Sequence, residues 1–389
     1  MTMPATYPDV TTGSPPEPDF PARAQQIAPQ LDDRAAEAAG HATLPADLVA
    51  TLESAGMFAL GLPSGLGGFE VDPTTLVRTA EVLAHADGSA AWTVMTGNSS
   101  MFFAWLDQLV AAELLAGRAG QPIVSSFAPT GQGVETAGGY RVSGQWSYVS
   151  GAPHATHIIV GFMMGGEAPR PRWGVLPASA VRTLATWSDA AGMRGSGSHD
   201  VVAEDVFVPA EHTLMPLFEP PRADGGLYRL PFFTGVRSLL TGVPLGIARR
   251  ALDELTEFCR RKTREMAPLV EDQDVQIRLA EAEAGLRAAR GYVLEVTERA
   301  WAAVQRGDEV PTAVCTEYTL ATQLAMRNSV GAANLAFEVA GVSSALTGNV
   351  IQRCWRDVNV AAQHIAYSRG RWRGAGRALL GLDIDKLYL

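Results

Sequence analysis

Cysteine is scarce in this chain of 389 residues, since it contains only Cys259, Cys315 and Cys354, which lie far apart and form no Cys-x-x-Cys pair. This spacing argues against a disulfide framework, an iron–sulfur cluster and a zinc ribbon. It suits a reducing compartment, and we expect a cytoplasmic protein. Histidines and carboxylates show no metal-ligand spacing either, so no metal site is predicted.

Positive charge is in the minority, because 31 Lys and Arg stand against 41 Asp and Glu and leave a net charge of −10. An acidic surface repels phosphate backbones, so no nucleic-acid partner is expected. No stretch approaches the roughly 18 apolar residues that span a bilayer, and the N-terminus lacks a signal-peptide pattern, so no membrane partner is expected. Residues 1–20 are rich in proline and acids and predict a disordered leader.

The hydrophobic period changes twice along the chain. Residues 21–120 carry apolar side chains at three- and four-residue steps and predict helices, including one from Ser89 to Leu106. Residues 121–222 contain short β-branched or alternating runs and predict a β domain. Residues 223–389 return to helical spacing, with an alanine-rich stripe from Leu279 to Ala303 typical of helix bundles. The prediction is an α+β, mainly α fold, with a helical N-domain, a central β-barrel or sandwich and a C-terminal four-helix bundle.

Three motifs carry a resemblance to a known family. Residues 146–151 read WSYVSG, residues 192–200 read GMRGSGSHD, and residues 353–357 read RCWRD with a histidine shortly after them. With the domain order, they resemble the acyl-CoA dehydrogenase superfamily over nearly the whole chain. No Asp or Glu lies between Asp357 and Asp383, where the dehydrogenases commonly carry their glutamate base. The pattern is more similar to the reduced-flavin-dependent, two-component (group D) monooxygenases of this superfamily.

The resemblance implies an oxidoreductase that takes FMNH2 or FADH2 from a separate NAD(P)H:flavin reductase. With O2 as co-substrate, it would hydroxylate a small apolar, aromatic or polycyclic molecule through a flavin C4a-(hydro)peroxide. A homotetramer or homodimer is implied as well. The alternatives are an acyl-CoA dehydrogenase-type flavin desaturase, an amine N-oxygenase and a flavin-free non-redox member.

Two residues are predicted to act in catalysis. Ser150 could offer a hydroxyl donor to flavin N5 without bringing a charge to it. His364, placed by the resemblance on the last bundle helix, suits a general base that deprotonates a ring hydroxyl, because histidine titrates near neutral pH. The alternatives are a turn serine before glycine and a histidine that is hydrogen-bonded in a helix interface.

The other predicted site residues fall into two groups. One group would border the flavin, with the last residue reaching it from a neighbouring subunit: Phe127, Ala128, Trp146, Ser147, Ser196 and Lys262. The second group would contact the substrate: His154, Arg194, Phe233 and Tyr367. The alternative for Trp146 is a core anchor of the barrel. Arg353 and Asp357 are expected to form a structural ion pair and cap on the last helix.

Overall fold

The N-terminal part of the chain folds into five helices. A computed structural model describes residues 18–165, 170–264 and 266–384, so the predicted leader lies outside the described residues except for its last three. Asp19 accepts a hydrogen bond from the amide of Ala22 and caps the first helix. The five helices are α1 (Phe20–His41), α2 (Ala46–Ser54), α3 (Pro73–Ala86), α4 (Gly88–Gly97) and α5 (Gln108–Leu115).

The helix predicted from Ser89 to Leu106 ends early. α4 stops at Gly97, and residues Ser99–Trp105 form a 3-10 helix. The cause is the buried side chain of Asn98, which donates to the carbonyl of Met57 and accepts from the amide of Gly61. A side chain that bonds distant backbone groups competes with helical continuation, so the chain turns at this residue.

The central region is a single mixed sheet whose strand order is β5-β6-β2-β1-β3-β4-β7. Only β1 and β3 pair in parallel; every other neighbouring pair is antiparallel. A Cβ placed on Gly174 of β4 would lie 3.2 Å from Cγ1 of Val208 on β6, so the sheet curls until non-adjacent strands meet. The strands are β1 (Ile123–Thr136), β2 (Gly139–Val149), β3 (His157–Met164), β4 (Arg170–Pro177), β5 (Arg182–Leu184), β6 (His199–Pro209) and β7 (Thr213–Leu214).

The C-terminal part is a helical bundle with a short hairpin. In α8 (Gln273–Gln305), six of the eight residues of the predicted stripe are buried and two, Leu279 and Ala282, are half-buried; the buried ones are Leu286, Ala289, Val293, Val296, Ala300 and Ala303. Among the described residues, no helix is long and apolar enough to cross a membrane. The elements are α6 (Phe232–Leu240), α7 (Gly242–Arg261), β8 (Thr263–Arg264), β9 (Ala267–Pro268), α8 (Gln273–Gln305), α9 (Thr312–Ala340), α10 (Val350–Ala361) and α11 (Arg369–Leu379).

One loop of the β domain, residues 192–198, joins all three regions. A Cβ on Gly192 would lie 2.4 Å from the carbonyl oxygen of Arg356 on α10, and one on Gly195 would lie 3.0 Å from Cβ of Ala38 on α1. The same Gly195 position is 3.1 Å from Cβ of Ser89 on α4. The two glycines therefore let the loop seat tightly between α1, α4 and α10.

Candidate active site

Ser150 lies just after β2 and begins a chain of three buried hydroxyl groups. Its Oγ lies 2.7 Å from Oγ of Ser198, which in turn lies 2.7 Å from Oγ of Ser196. Ser196 donates to the carbonyl of Met193 at 2.7 Å. The amide of Gly151 also donates to the carbonyl of Ser196, at 2.8 Å, which fixes the two loops against each other.

Trp92 on α4 contacts both residues that we predicted to act in catalysis. Its Nε1 donates to Oγ of Ser150 at 3.0 Å. Its indole ring meets the imidazole of His364 edge to face, with ring centroids 5.2 Å apart. One side chain thus connects a serine of the β domain to a histidine of the C-terminal part, so the structure brings these two predicted residues together.

The predicted helical position of His364 is wrong. α10 ends at Ala361, and His364 caps the following 3-10 helix, Ile365–Tyr367. Two tertiary bonds hold this segment out of the helix: Gln323 donates to the carbonyl of Ala366, and the hydroxyl of Tyr367 donates to the carbonyl of Leu240. The residue therefore sits in a short connection between two helices.

The surroundings of His364 determine the charge of its imidazole and which ring nitrogen carries the proton. The side chain is exposed, yet desolvation by surrounding protein and the charge of Arg371 lower its pKa to about 4. With its pKa at this value, the imidazole is neutral at pH 7. Nδ1 accepts a hydrogen bond from the amide of Ala366 at 3.3 Å, so the ring proton resides on Nε2. The free nitrogen of His364 is thus a donor.

An aromatic cluster forms an apolar wall. Phe102 and Phe127 lie 4.5 Å apart between centroids, Phe127 and Phe232 lie 5.4 Å apart, and Phe232 and Phe233 lie 5.1 Å apart. The guanidinium of Arg371 lies 4.5 Å above the ring of Phe233. The same guanidinium helps to lower the pKa of His364, so Arg371 interacts both with the aromatic cluster and, through its charge, with the histidine.

The geometry of β1 fits a flavin beside this wall. The register of β1 against β3 shifts between Ser126 and Gly131, which leaves the intervening backbone outside the ladder. Ala128 in this bulge is exposed. A Cβ on Gly161 would lie 3.0 Å from the carbonyl oxygen of Ala128, so only a glycine there lets the bulge lie this close. The carbonyl of Phe127 accepts from Nε1 of Trp173 and Pro129 has no amide proton, so the exposed backbone of Ala128 is the part of the bulge that would bond a flavin ring edge.

Ser147 precedes this site on β2 and is exposed. Its hydroxyl donates to Oδ2 of Asp200 at 2.9 Å, and Gln145 donates to the same oxygen at 2.8 Å. Burial raises the pKa of Asp200, but its hydrogen bonds outweigh that effect and leave the pKa lowered. Ser147 therefore holds its proton toward an ionised carboxylate and presents only its oxygen lone pairs to a cofactor.

The prediction that Trp146 packs against the flavin is contradicted by its burial. The side chain is 1% exposed, lies in the core of the β domain, and donates from Nε1 to the carbonyl of Gly161 at 2.7 Å. The indole ring of Trp146 packs over Gly131 and Gly144. A Cβ on either glycine would lie within 3.0 Å of the ring, so neither position has room for a side chain. Trp146 is the core anchor that was the alternative interpretation.

Trp146→Phe should therefore lower stability without changing the chemistry. We expect the free energy of unfolding to fall by about 2 kcal/mol, because the variant leaves a cavity and an unpaired carbonyl. Product formed per reduced flavin should stay at the level of the unsubstituted protein. Denaturant unfolding and a coupling assay measure the two quantities. Unchanged stability with a loss of flavin affinity would contradict the core role.

The side chains of three other predicted residues have partners other than Ser150 and His364. Nε2 of His154 lies 2.8 Å from Oγ1 of Thr43, next to α2, and desolvation lowers the pKa of this histidine. Tyr367 is buried, with its hydroxyl committed to the carbonyl of Leu240. Lys262 is exposed at the end of α7, with its Nζ 5.9 Å from the ring centroid of Phe258.

Arg194 lines a small charged cavity between α1, α4 and α10 and donates to the carbonyl of Ser188 at 2.6 Å. Arg353 and Asp357 line the same cavity but do not form the expected pair. Arg353 instead donates to Asp32 on α1 at 2.8 Å, and Asp357 accepts from the amide of Met193 at 2.6 Å. Both partners come from distant segments, which the local spacing on α10 does not reveal.

Asp357 is strongly desolvated in this cavity. Its burial, together with the nearby charge of Asp87, raises its pKa to about 7. Among the residues that the structure describes, no group of three or more His, Cys, Asp or Glu side chains could hold a metal ion.

Trp92 and Ser198 are the site residues that the sequence analysis missed. α4 is buried on nearly every side, so its apolar pattern singles out no functional face. Ser198 belongs to the quoted motif at residues 192–200, but its hydroxyl had no assigned role. Its place in the hydroxyl chain follows only from the loop contacts between residues 150–151 and 196–198.

Comparison with known proteins agrees with this architecture. Family models for the N-terminal and C-terminal domains of acyl-CoA dehydrogenase match residues 23–113 and 239–369. An indole-3-acetate monooxygenase of Pseudomonas putida is 32% identical, over 86% of this chain and 87% of its own length. The flavin-dependent monooxygenase oxygenase subunit HsaA of Rhodococcus jostii is 27% identical, over 88% and 93%.

Solved structures give the same picture. The crystal structure of a 3-HSA hydroxylase from Rhodococcus sp. RHA1 has a TM-score of 0.89 at 26% identity and covers 96% of this chain and 99% of that one. The HsaA monooxygenase from M. tuberculosis also has a TM-score of 0.89, at 26% identity, over 95% and 99% of the two chains. The chain therefore belongs to the flavin-dependent monooxygenases of the acyl-CoA dehydrogenase superfamily.

Proposed function

We propose that this protein is the oxygenase component of a two-component system that hydroxylates a small aromatic molecule. The observation that carries the proposal is the contact of Trp92 with both Ser150 and His364. This contact supports a site in which a hydroxyl suited to flavin N5 and a neutral imidazole suited to a substrate oxygen lie against the same indole. The relatives called an oxygenase subunit or oxygenase component support a separate flavin reductase as partner.

Each residue of the proposed site has a distinct role. Bound reduced flavin supplies the electrons that activate O2. Ser150 accepts a hydrogen bond from Nε1–H of Trp92 and keeps a second lone pair for a donor on the flavin, so we assign it as an acceptor rather than the predicted donor to N5. His364 presents Nε2–H and stabilises an anionic oxygen on the substrate by a hydrogen bond, so we assign it as a donor rather than the predicted base. The aromatic wall keeps water away from the reacting atoms.

A planar aromatic substrate suits the cluster of Phe102, Phe127, Phe232 and Phe233, because aromatic rings pack well edge to face or offset. The names of relatives give indole-3-acetate and resorcinol as molecules of this kind. The desaturase alternative needs a carboxylate base beside the substrate. The segment after Asp357 holds none before Asp383, and Asp357 itself is bonded to Met193.

The test is incorporation of labelled oxygen. The protein is supplied with a flavin reductase, NADH, FMN or FAD, and 18O2, with indole-3-acetate and resorcinol as probes. We expect one 18O atom in the product and strict dependence on the reductase. A product that has lost two hydrogens and gained no oxygen would favour the desaturase. Label on an amine nitrogen would favour an N-oxygenase, and no flavin binding would favour a non-redox member.

We also propose that the protein assembles as a homotetramer or homodimer, in which Lys262 reaches the flavin of a neighbouring chain. The support is that Lys262 is exposed and that no described contact links it to Ser150 or His364 within its own chain. Sedimentation equilibrium gives the assembly state.

A further inference from the structure

The chain of hydroxyls behind Ser150 has a single possible direction. At one end, the indole of Trp92 is a donor and nothing else, so Ser150 must accept from it. At the other end, the carbonyl of Met193 is an acceptor and nothing else, so Ser196 must donate to it. Each hydroxyl has one proton. Ser198 must therefore donate to Ser196, and Ser150 must donate to Ser198.

This chain of hydroxyl groups consequently has as many donor protons as hydrogen bonds. Four hydrogen bonds join the five groups, and the indole and the three hydroxyls supply the four protons. All three serines are buried, with Ser150 8% exposed, Ser198 4% and Ser196 1%. A polar atom that lacks a partner is therefore costly here. Once these hydrogen bonds are made, Ser150 has one further hydrogen-bonding position, which is an oxygen lone pair.

From this arrangement we propose that Ser196 and Ser198 are positioning residues that make Ser150 an acceptor and so favour reduced over oxidised flavin. The inference rests on the proposed function, in which Ser150 faces flavin N5. Reduced flavin has a hydrogen on N5, so its contact with Ser150 brings the totals to five hydrogen bonds and five donor protons. Oxidised flavin has a lone pair on N5, which gives five contacts and only four protons, so one buried acceptor stays unpaired.

Substitutions at the two ends of the hydroxyl chain should have different effects on the preference for reduced flavin. Ser196→Ala removes one proton and two contacts, so Ser198 is free to donate to Ser150 and Ser150 to N5 of oxidised flavin. Met193 keeps donors from the amide of Ser196 at 3.1 Å and from Nε1 of Trp187 at 2.9 Å, so the loop stays anchored. Trp92→Phe removes one proton and one contact, which leaves the direction of the serine chain unchanged.

The experiment compares the dissociation constants of oxidised and reduced flavin by anaerobic ultrafiltration, with FMN and with FAD. We expect the unsubstituted protein to bind the reduced form more tightly. Ser196→Ala should reduce that preference roughly three- to tenfold, the equivalent of one neutral hydrogen bond. Ser198→Ala should act in the same direction. Trp92→Phe is the matched control, and it should keep the preference within about twofold even where both affinities fall.

Three results would overturn the proposal. One is a preference that Ser196→Ala and Ser198→Ala leave intact. The second is an equal loss of preference in Trp92→Phe. The third is an unsubstituted protein that binds both forms equally; with labelled oxygen in the product, that result refutes the role of the serine chain but leaves the proposed function standing. A protein that binds neither form would overturn both.

Discussion

Ser150→Ala should uncouple oxygen consumption from product formation. The variant removes the acceptor that we assign to the flavin, leaves the indole N–H of Trp92 without its acceptor and removes the donor to Ser198. We expect hydrogen peroxide to account for most of the oxygen consumed, and product per reduced flavin to fall roughly tenfold or more, as for the loss of a hydrogen bond in a preorganised site. Peroxide and product are measured in the same reaction.

Stability of the same variant gives the necessary comparison. An unpaired buried donor costs about 1–3 kcal/mol, so Ser150→Ala should remain folded. Ser143→Ala is the matched control, since Ser143 is an exposed serine on β2 whose Oγ accepts only from the amide of Asp205. It should keep full coupling. A Ser150→Ala protein as well coupled as this control would remove Ser150 from the site.

Substitution of His364 should show whether its imidazole acts as a hydrogen-bond donor or as a general base. His364→Ala should lower kcat for a phenolic probe such as resorcinol roughly 10- to 100-fold, as expected for a hydrogen bond to a charged oxygen. His364→Gln places an amide N–H near the position of Nε2 and should recover most of that loss. A general base would give a different result, because glutamine cannot take up a proton and would be as slow as alanine.

The pH profile tests the same assignment. Because desolvation and Arg371 lower the pKa of His364 to about 4, the imidazole stays neutral from about pH 5 upward. The unsubstituted protein should therefore show no step in kcat near pH 6.5. His364→Ala should regain rate at alkaline pH, where the substrate hydroxyl ionises without help. A step near pH 6.5 that disappears in His364→Gln would identify His364 as a titrating base.

The order of domains could be predicted from hydrophobic period alone, and the buried stripe of α8 was correct because 33 consecutive residues, Gln273–Gln305, repeat one helical pattern. Positions where a tertiary bond competes with local preference could not. No glycine or proline marks the end of α10, yet the helix stops at Ala361 because Gln323 and Tyr367 hold the next segment in place. Asn98 ends α4 in the same way.

The site was predictable to the extent that its motifs are local. Ser150 and His364 both contact Trp92, but this connecting residue lies on a helix with no distinguishing pattern. Trp146 was assigned to the flavin by resemblance, and its buried orientation lies in a strand, β2, that has two register shifts against β6. Which face Trp146 presents depends on those irregularities.

The most direct test of the central claim follows oxygen and flavin separately after rapid mixing. The protein with reduced FMN or FAD is mixed with oxygenated buffer, and oxygen consumption and the absorbance of oxidised flavin are recorded together. We predict that oxygen is consumed well before oxidised flavin appears, and that this delay far exceeds the one seen for free flavin. Oxidised flavin that appears as fast as oxygen disappears, with an equal amount of hydrogen peroxide and no product, would contradict an oxygenase.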